Sequence, residues 1–316
     1  MNYIFNIIKK SLVTTLFLLK IMLPMMLLSR ILALAGVADW LSGLLSIPLS
    51  AMGLPGEAGI VWAITLLTNL YGGIGSLITL LPANELTIGQ LSILSSVMLF
   101  AHSLPVEQAV VRSAGVSSVY TGLLRLFAAI AYGICANYLF EYFNIMQYPV
   151  NANWIPQAFD DSWISWLKGT IEIIVLMFVI ITAINFAIDF LERVGILQWI
   201  SRQLEPFMKV TGQNPQLAPM TTIGLLLGLS YGGGLIIQKA NEIKFSRRDL
   251  FMSLSCLCLL HSLIEDTLIM FFLGADIWVI LVGRALFSII LLALLSKIVD
   301  YFFFKNEQGI KNATNR

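Results

Sequence analysis

Charge is scarce in this chain. Only 12% of its 316 residues are Asp, Glu, Lys or Arg, against about 25% in soluble globular proteins. With 58% hydrophobic residues and a mean hydropathy of +0.85, that scarcity excludes a water-soluble globule. Nineteen basic residues stand against 18 acidic ones, so no basic excess exists to drive phosphate contacts, and nucleic acid is excluded as a partner. Cysteine is also scarce. The three thiols, Cys135, Cys256 and Cys258, are odd in number and lie in apolar stretches, which excludes a disulfide framework. There is no Walker loop, nucleophile elbow or zinc-protease helix, and neither half of the chain has a soluble domain to couple ATP hydrolysis. No enzymatic role and no cofactor are expected.

What is present is long apolar sequence. Stretches near 13–37, 58–81, 88–111, 117–141, 169–191, 217–238, 250–273 and 277–299 each reach the about 20 residues that a membrane-spanning helix requires. The alternation of a β-barrel is absent, so the chain is expected to be an all-α polytopic membrane protein, in contact with membrane lipid. Hydrophobicity drops only at 142–164, a polar linker that separates a first repeat over 1–141 from a second over 165–300, with a tail at 301–316.

The halves are copies. A shift of 159 or 160 residues superposes Trp40 on Trp199, Pro55 on Pro215, Tyr71-Gly72-Gly73 on Tyr231-Gly232-Gly233, and His102-Ser103-Leu104 on His261-Ser262-Leu263. Gly115 then meets Gly274, and Arg125 meets Arg284. The two histidines of the chain therefore align with each other. Internal repeats with a binding site at their interface mark transporter folds.

The basic residues orient the chain, because short cytoplasmic loops are rich in Lys and Arg. Lys9 and Lys10 place the N-terminus inside, and Lys305, Lys311 and Arg316 the C-terminus. Segment 217–238 carries basic residues at both ends, Arg193, Arg202 and Lys209 before it and Lys239, Lys244, Arg247 and Arg248 after it. Segments 58–81 and 217–238 are therefore expected to be re-entrant helical hairpins that turn at their glycines. Each repeat then has three transmembrane helices plus one hairpin, and the repeats insert with inverted topology. On that assignment 13 of the 19 basic residues lie inside. Eight plain crossings are the alternative, with the basic 239–248 loop outside. The expected location is the bacterial inner membrane, multi-pass, with both termini cytoplasmic.

Ionisable groups within the spans are functional hypotheses by default. His102, Ser103 and Glu107 fall in the third span. His261, Ser262, Glu265 and Asp266 fall in the seventh, where His261 and Glu265, four residues apart, would share a helix face. Pro105 suggests a broken or kinked helix at His102; Ile264 stands at the equivalent place, so an asymmetric break is expected. We expect these residues, with Asn69, Tyr71, Gly72, Gly73, Tyr231, Gly232 and Gly233 at the hairpin tips, to contact a small polar solute. Glu265 or His261 would carry the proton if transport is proton-coupled; sodium is the other coupling ion considered. Structural ion pairs are expected between Glu107 and Arg125, Asp266 and Arg284, and Arg30 and Asp189. No metal is assigned, although Cys258, His261 and Glu265 would share a face as an alternative ligand set.

Two inverted copies, each with a glycine-bearing hairpin and a polar third span, resemble the Gate, or nucleoside recognition, domain family. The run His261-Ser262-Leu263-Ile264-Glu265-Asp266-Thr267 followed by Gly274-Ala275-Asp276 carries the resemblance, and His102-Ser103-Leu104-Pro105-Val106-Glu107 is a looser version. The resemblance implies transport or membrane translocation, without implying a nucleoside as substrate. The expected function is a secondary transporter working by alternating access. The alternatives are a divalent metal permease akin to ferrous iron carriers and a membrane assembly protein whose polar core is helix-bundle glue. A homo-oligomer is left open.

Overall fold

The structure, a computed structural model, describes residues 2–35, 47–81, 86–150, 162–195, 211, 213–214, 216–229, 236–237 and 245–314. These residues form helices and no β-strand; one isolated antiparallel bridge joins Thr87 to Pro149. Helix α1 runs unbroken over Asn2–Leu34 with Pro24 inside it. Among the described residues five helical stretches are long and apolar enough to cross a membrane: Ile88–Ser113, Ser118–Phe143, Trp163–Ala187, Arg247–Phe272 and Trp278–Tyr301. The protein is a multi-pass helical membrane protein.

Segment 58–81 is two short helices, α2 (Ala58–Leu67) and α3 (Leu70–Leu80), packed against each other. At 1.5 Å per residue each is only about 15 Å long, half of a hydrocarbon core of about 30 Å. The chain turns at Thr68–Asn69, not at the glycines expected from the sequence. Asn69 is extended, and its side-chain oxygen accepts the Gly72 N–H at 2.8 Å, capping α3. The glycines lie inside α3 and serve close approach: a Cβ on Gly73 would collide with Thr65 Oγ1 of α2 and with Met98 Cε. The equivalent segment opens with α8 (Ala218–Leu227), which ends at Gly228 with φ +103°. Its expected tip, Tyr231-Gly232-Gly233, lies outside the described residues, as do Trp40 and Trp199.

The third span is two helices, α4 (Ile88–Phe100) and α5 (Leu104–Ser113). A Thr87/Gln90 capping box starts α4, and the Ile88 and Gly89 N–H groups donate to the Tyr148 and Met146 carbonyls of the incoming linker. Helix α6 (Ser118–Phe143) packs along α4 and α5, and α7 (Trp163–Arg193) packs along α1. The seventh span is likewise divided, into α9 (Arg247–Leu260) and α10 (Glu265–Phe272). A π-helical turn, Trp278–Gly283, then leads into α11 (Arg284–Thr314), which continues as helix through most of the expected tail. Linker residues 151–161 lie outside the described residues.

The halves interlock at their centre. Ser92, Ser95 and Ser96 of α4 and Ser253 and Ser255 of α9 are fully buried, and side chains this small let helix backbones approach closely. The Tyr132 hydroxyl on α6 donates to the Val279 carbonyl at 2.7 Å, and the Asp276 N–H donates to Ser92 Oγ at 2.8 Å. The π-helical winding has a steric counterpart, since a Cβ on Gly283 would strike the Tyr132 hydroxyl.

Candidate functional site

Both polar spans break, and at the same place. The sequence signalled a break only at Pro105, yet His261–Ile264 interrupts the seventh span without a proline. Ser103 and Ser262 each hold left-handed backbone, with φ of 50° and 49°. Each break is tied to the short helix beside it: the Ser103 N–H donates to the Thr65 carbonyl at 3.0 Å, and the Leu263 N–H donates to the Leu225 carbonyl at 2.8 Å. These pairs are related by the same 160-residue shift as the sequence repeat.

A broken helix exposes carbonyls at the end of its first arm and N–H groups at the start of its second. His102 Nδ1 donates to the Met98 carbonyl at 3.0 Å, and His261 Nδ1 donates to the Leu257 carbonyl at 2.9 Å. Glu107 lies in the first turn of α5, and Glu265 and Asp266 in the first turn of α10, where the helix dipole favours negative charge. Arg125, fully buried on α6, donates from Nε to the Phe100 carbonyl and from Nη2 to the His102 carbonyl, both at 2.8 Å, and pairs through Nη1 with Glu107 Oε2. One guanidinium thus closes off the first break.

The two breaks meet each other. His102 Nε2 and His261 Nε2 are 2.9 Å apart, with ring centroids at 4.7 Å. Glu107 Oε1 lies 3.1 Å from His261 Nε2 and 3.4 Å from His102 Nε2, and Asp266 Oδ2 lies 3.7 Å from His102 Nε2. Each histidine therefore faces the acid of the opposite half. All four residues are at most 9% exposed.

Other expected residues fall elsewhere. Glu265 does not join this centre: the shared face argued from its four-residue spacing to His261 requires continuous helix, and the helix is interrupted between them. Cys258 is buried and free, and the one group of three or more potential metal ligands among the described residues is His102, Glu107 and His261, so the set Cys258, His261 and Glu265 does not assemble. Asp266 and Arg284 form no ion pair. Arg284 Nη2 donates to Thr267 Oγ1 at 3.4 Å, while its buried Nε and Nη1 have no hydrogen-bond partner among the described residues. A π-helical turn immediately precedes Arg284, whereas Arg125 lies within a continuous α-helix. Asp189 pairs with Arg193 one turn on, at 2.6 Å, and Arg30 lies 6.0 Å from the Trp163 ring centroid. Tyr71 is half-buried on α3, within electrostatic reach of Glu265 and Asp266. Gly72 and Gly73 are buried in α3, and Asn69 is occupied as its cap.

Thr65, Thr267 and the carbonyls of Met98, Phe100 and Leu257 were not singled out from the sequence. A signal for the break was available. In both halves the acid of the centre follows its histidine by five residues, His102 to Glu107 and His261 to Asp266, a spacing that no continuous helix places on one face.

A mostly helical membrane fold that encloses ionisable side chains between interrupted helices defines the class. The chain belongs to the Gate, or nucleoside recognition, family: that family's model matches residues 174–277, which include His261 and Asp266 but not His102 or Glu107. The chain is also 30% identical, over 278 residues, to the uncharacterized membrane protein YvoD of Bacillus subtilis (strain 168), an alignment covering 86% of this chain and 87% of that protein. No solved structure matches it.

Proposed function

We propose that the protein is a secondary transporter of the bacterial plasma membrane, with both termini cytoplasmic, that moves a small polar solute through a site where its two broken helices meet. The contact between His102 and His261 carries this reading, because discontinuous helices that meet around ionisable groups are how transporters build solute sites within the bilayer. The short α2–α3 pair, too short to cross, supports a re-entrant hairpin, and the shared geometry at Ser103 and Ser262 supports two inverted repeats.

Alternating access requires two related arrangements of one design, and the arginines supply a contrast of that kind. Arg125 grips the carbonyls and the acid of its break, whereas Arg284 leaves two nitrogens without partners. A catalytic role has less support. Both imidazoles commit Nδ1 to a carbonyl and turn Nε2 to each other, so neither adjacent serine has a base to activate it.

The test is counterflow in proteoliposomes with pooled labelled nucleosides, amino acids and divalent cations. One pool is expected to exchange with wild-type protein and to lose exchange in His102→Ala and His261→Ala. If no pool moves, and both variants merely lower thermal stability alike, the protein is a structural membrane component.

A further inference from the structure

We infer that His102, His261 and Glu107 together bind one divalent transition-metal ion between the two halves, with Asp266 as the nearest further donor. That the ion is also the cargo rests on the transport reading above.

A carbonyl oxygen only accepts, so each Nδ1, at 3.0 and 2.9 Å from a carbonyl, carries the ring proton. A neutral imidazole has a single N–H, so when both rings are neutral each Nε2 presents a bare lone pair. These lone pairs face each other at 2.9 Å, and Glu107 Oε1 faces both. Arg125 is held on the other carboxylate oxygen, Oε2. With both rings neutral, three acceptors thus converge; a single added proton shared between the two Nε2 atoms would make their contact a hydrogen bond, and a metal ion would take the same place. Such an arrangement calls for a cation at its centre.

The spacing selects the kind of cation. Metal–imidazole bonds are about 2.0–2.1 Å, and two such bonds at 90° to 110° hold their donor atoms roughly 2.9–3.4 Å apart. The three donor separations here are 2.9, 3.1 and 3.4 Å. An ion just off their plane would bond all three and keep further positions for Asp266 or water. The surroundings fit as well: metal-binding histidines usually donate their second N–H to a carbonyl, and ligating carboxylates are themselves hydrogen-bonded. Both conditions hold, through Met98, Leu257 and Arg125. Two imidazoles with a carboxylate suit zinc, iron, nickel or cobalt, whereas calcium and magnesium take oxygen ligands. The ligands come from both halves, so the ion would join them.

The test uses full-length protein in detergent, stripped with a chelator and titrated separately with Zn²⁺, Co²⁺, Ni²⁺ and Mn²⁺, with Mg²⁺ and Ca²⁺ as controls. We expect one transition ion per chain, a rise in Tm absent with the controls, and a Co²⁺ visible spectrum that reports imidazole ligation. His261→Gln and Glu107→Gln should weaken binding by at least about tenfold, in line with the loss of a ligand or its support, while Cys258→Ser leaves it unchanged. Because the spectrum and the stoichiometry are read on wild-type protein, a variant that fails to fold does not decide the matter. Two results overturn the inference: no transition ion binds wild type better than Mg²⁺, or binding persists in folded His261→Gln and Glu107→Gln. Counterflow of a metal-free solute without metal binding removes the metal and keeps transport. Metal binding without metal movement in proteoliposomes keeps the site and removes the cargo role.

Discussion

Ser103 and Ser262, 159 positions apart, adopt the same left-handed backbone at the same point of two broken helices. For a residue with a Cβ that conformation costs roughly 1–2 kcal/mol, and here it occurs twice beside the only two histidines. The turn it makes swings the second arm of each helix away from the axis of the first. In the first half this brings Glu107, five residues on, to 3.4 Å from His102 Nε2; in the second it brings Asp266 to 3.7 Å from the opposite half's imidazole.

Glycine adopts positive φ without that penalty. Ser103→Gly and Ser262→Gly are therefore expected to keep or slightly raise Tm, whereas Ser103→Val and Ser262→Val lower stability by about 1–2 kcal/mol through β-branching in the left-handed region. Thermal unfolding in detergent of the four variants checks this. Equal tolerance of valine and glycine would count against the broken geometry.

The contact of Gly73 with Thr65 predicts a coupling. Gly73→Ala forces a methyl against Thr65 Oγ1 and Met98 Cε, and such overpacking costs about 1–3 kcal/mol. In a Thr65→Ala background part of that loss should be recovered, because the hydroxyl in the way is gone. A double-mutant cycle on Tm or denaturant midpoint measures the coupling. Strict additivity would mean that the two short helices do not pack at this point.

The two buried arginines should differ sharply. Arg125→Met leaves the Glu107 carboxylate buried beside unpaired carbonyls, a loss of about 3–5 kcal/mol. Arg284→Met removes a fully buried guanidinium with two unpartnered nitrogens and is expected to be neutral or stabilising. Parallel unfolding curves decide it, and equal destabilisation would contradict the asymmetry.

Protons and metal ions compete for the same Nε2 lone pairs, and binding a metal there requires both to be free. The rise in Tm caused by Zn²⁺ should therefore shrink as pH falls from about 8 to about 5, because metal affinity falls as protons compete for the ligands. A shift constant over that range would place the ion on other ligands.

Much of the centre was legible in the chain because polar groups in an apolar sequence are few and these recur at a fixed shift. His102, Glu107, His261 and Asp266 were all picked out, along with the partnership of Glu107 and Arg125. What could not be read was which of them face one another. Glu265 was favoured over Asp266 because a four-residue spacing presumes continuous helix, and the break at His261–Ile264 lacks the proline that marked the first. The glycines after Tyr71 were assigned to a turn, since glycine marks both turns and close helix contacts; only the packed partner, Thr65, distinguishes the two uses. The π-helical turn that precedes Arg284 is likewise announced by no local residue preference.

Each imidazole is tethered through Nδ1 to a carbonyl in the last turn of its own helix arm. Neither ring can swing toward a ligand independently; it travels with the arm as a rigid attachment. Of the cation's three ligands, one imidazole therefore rides on α4, the other on α9 and the carboxylate on α5, and the cage is whole only while those arms touch. Affinity then becomes a gauge of shape: an occupant pulls the arms together, and their separation discharges it without any change in the chemistry of the ligands.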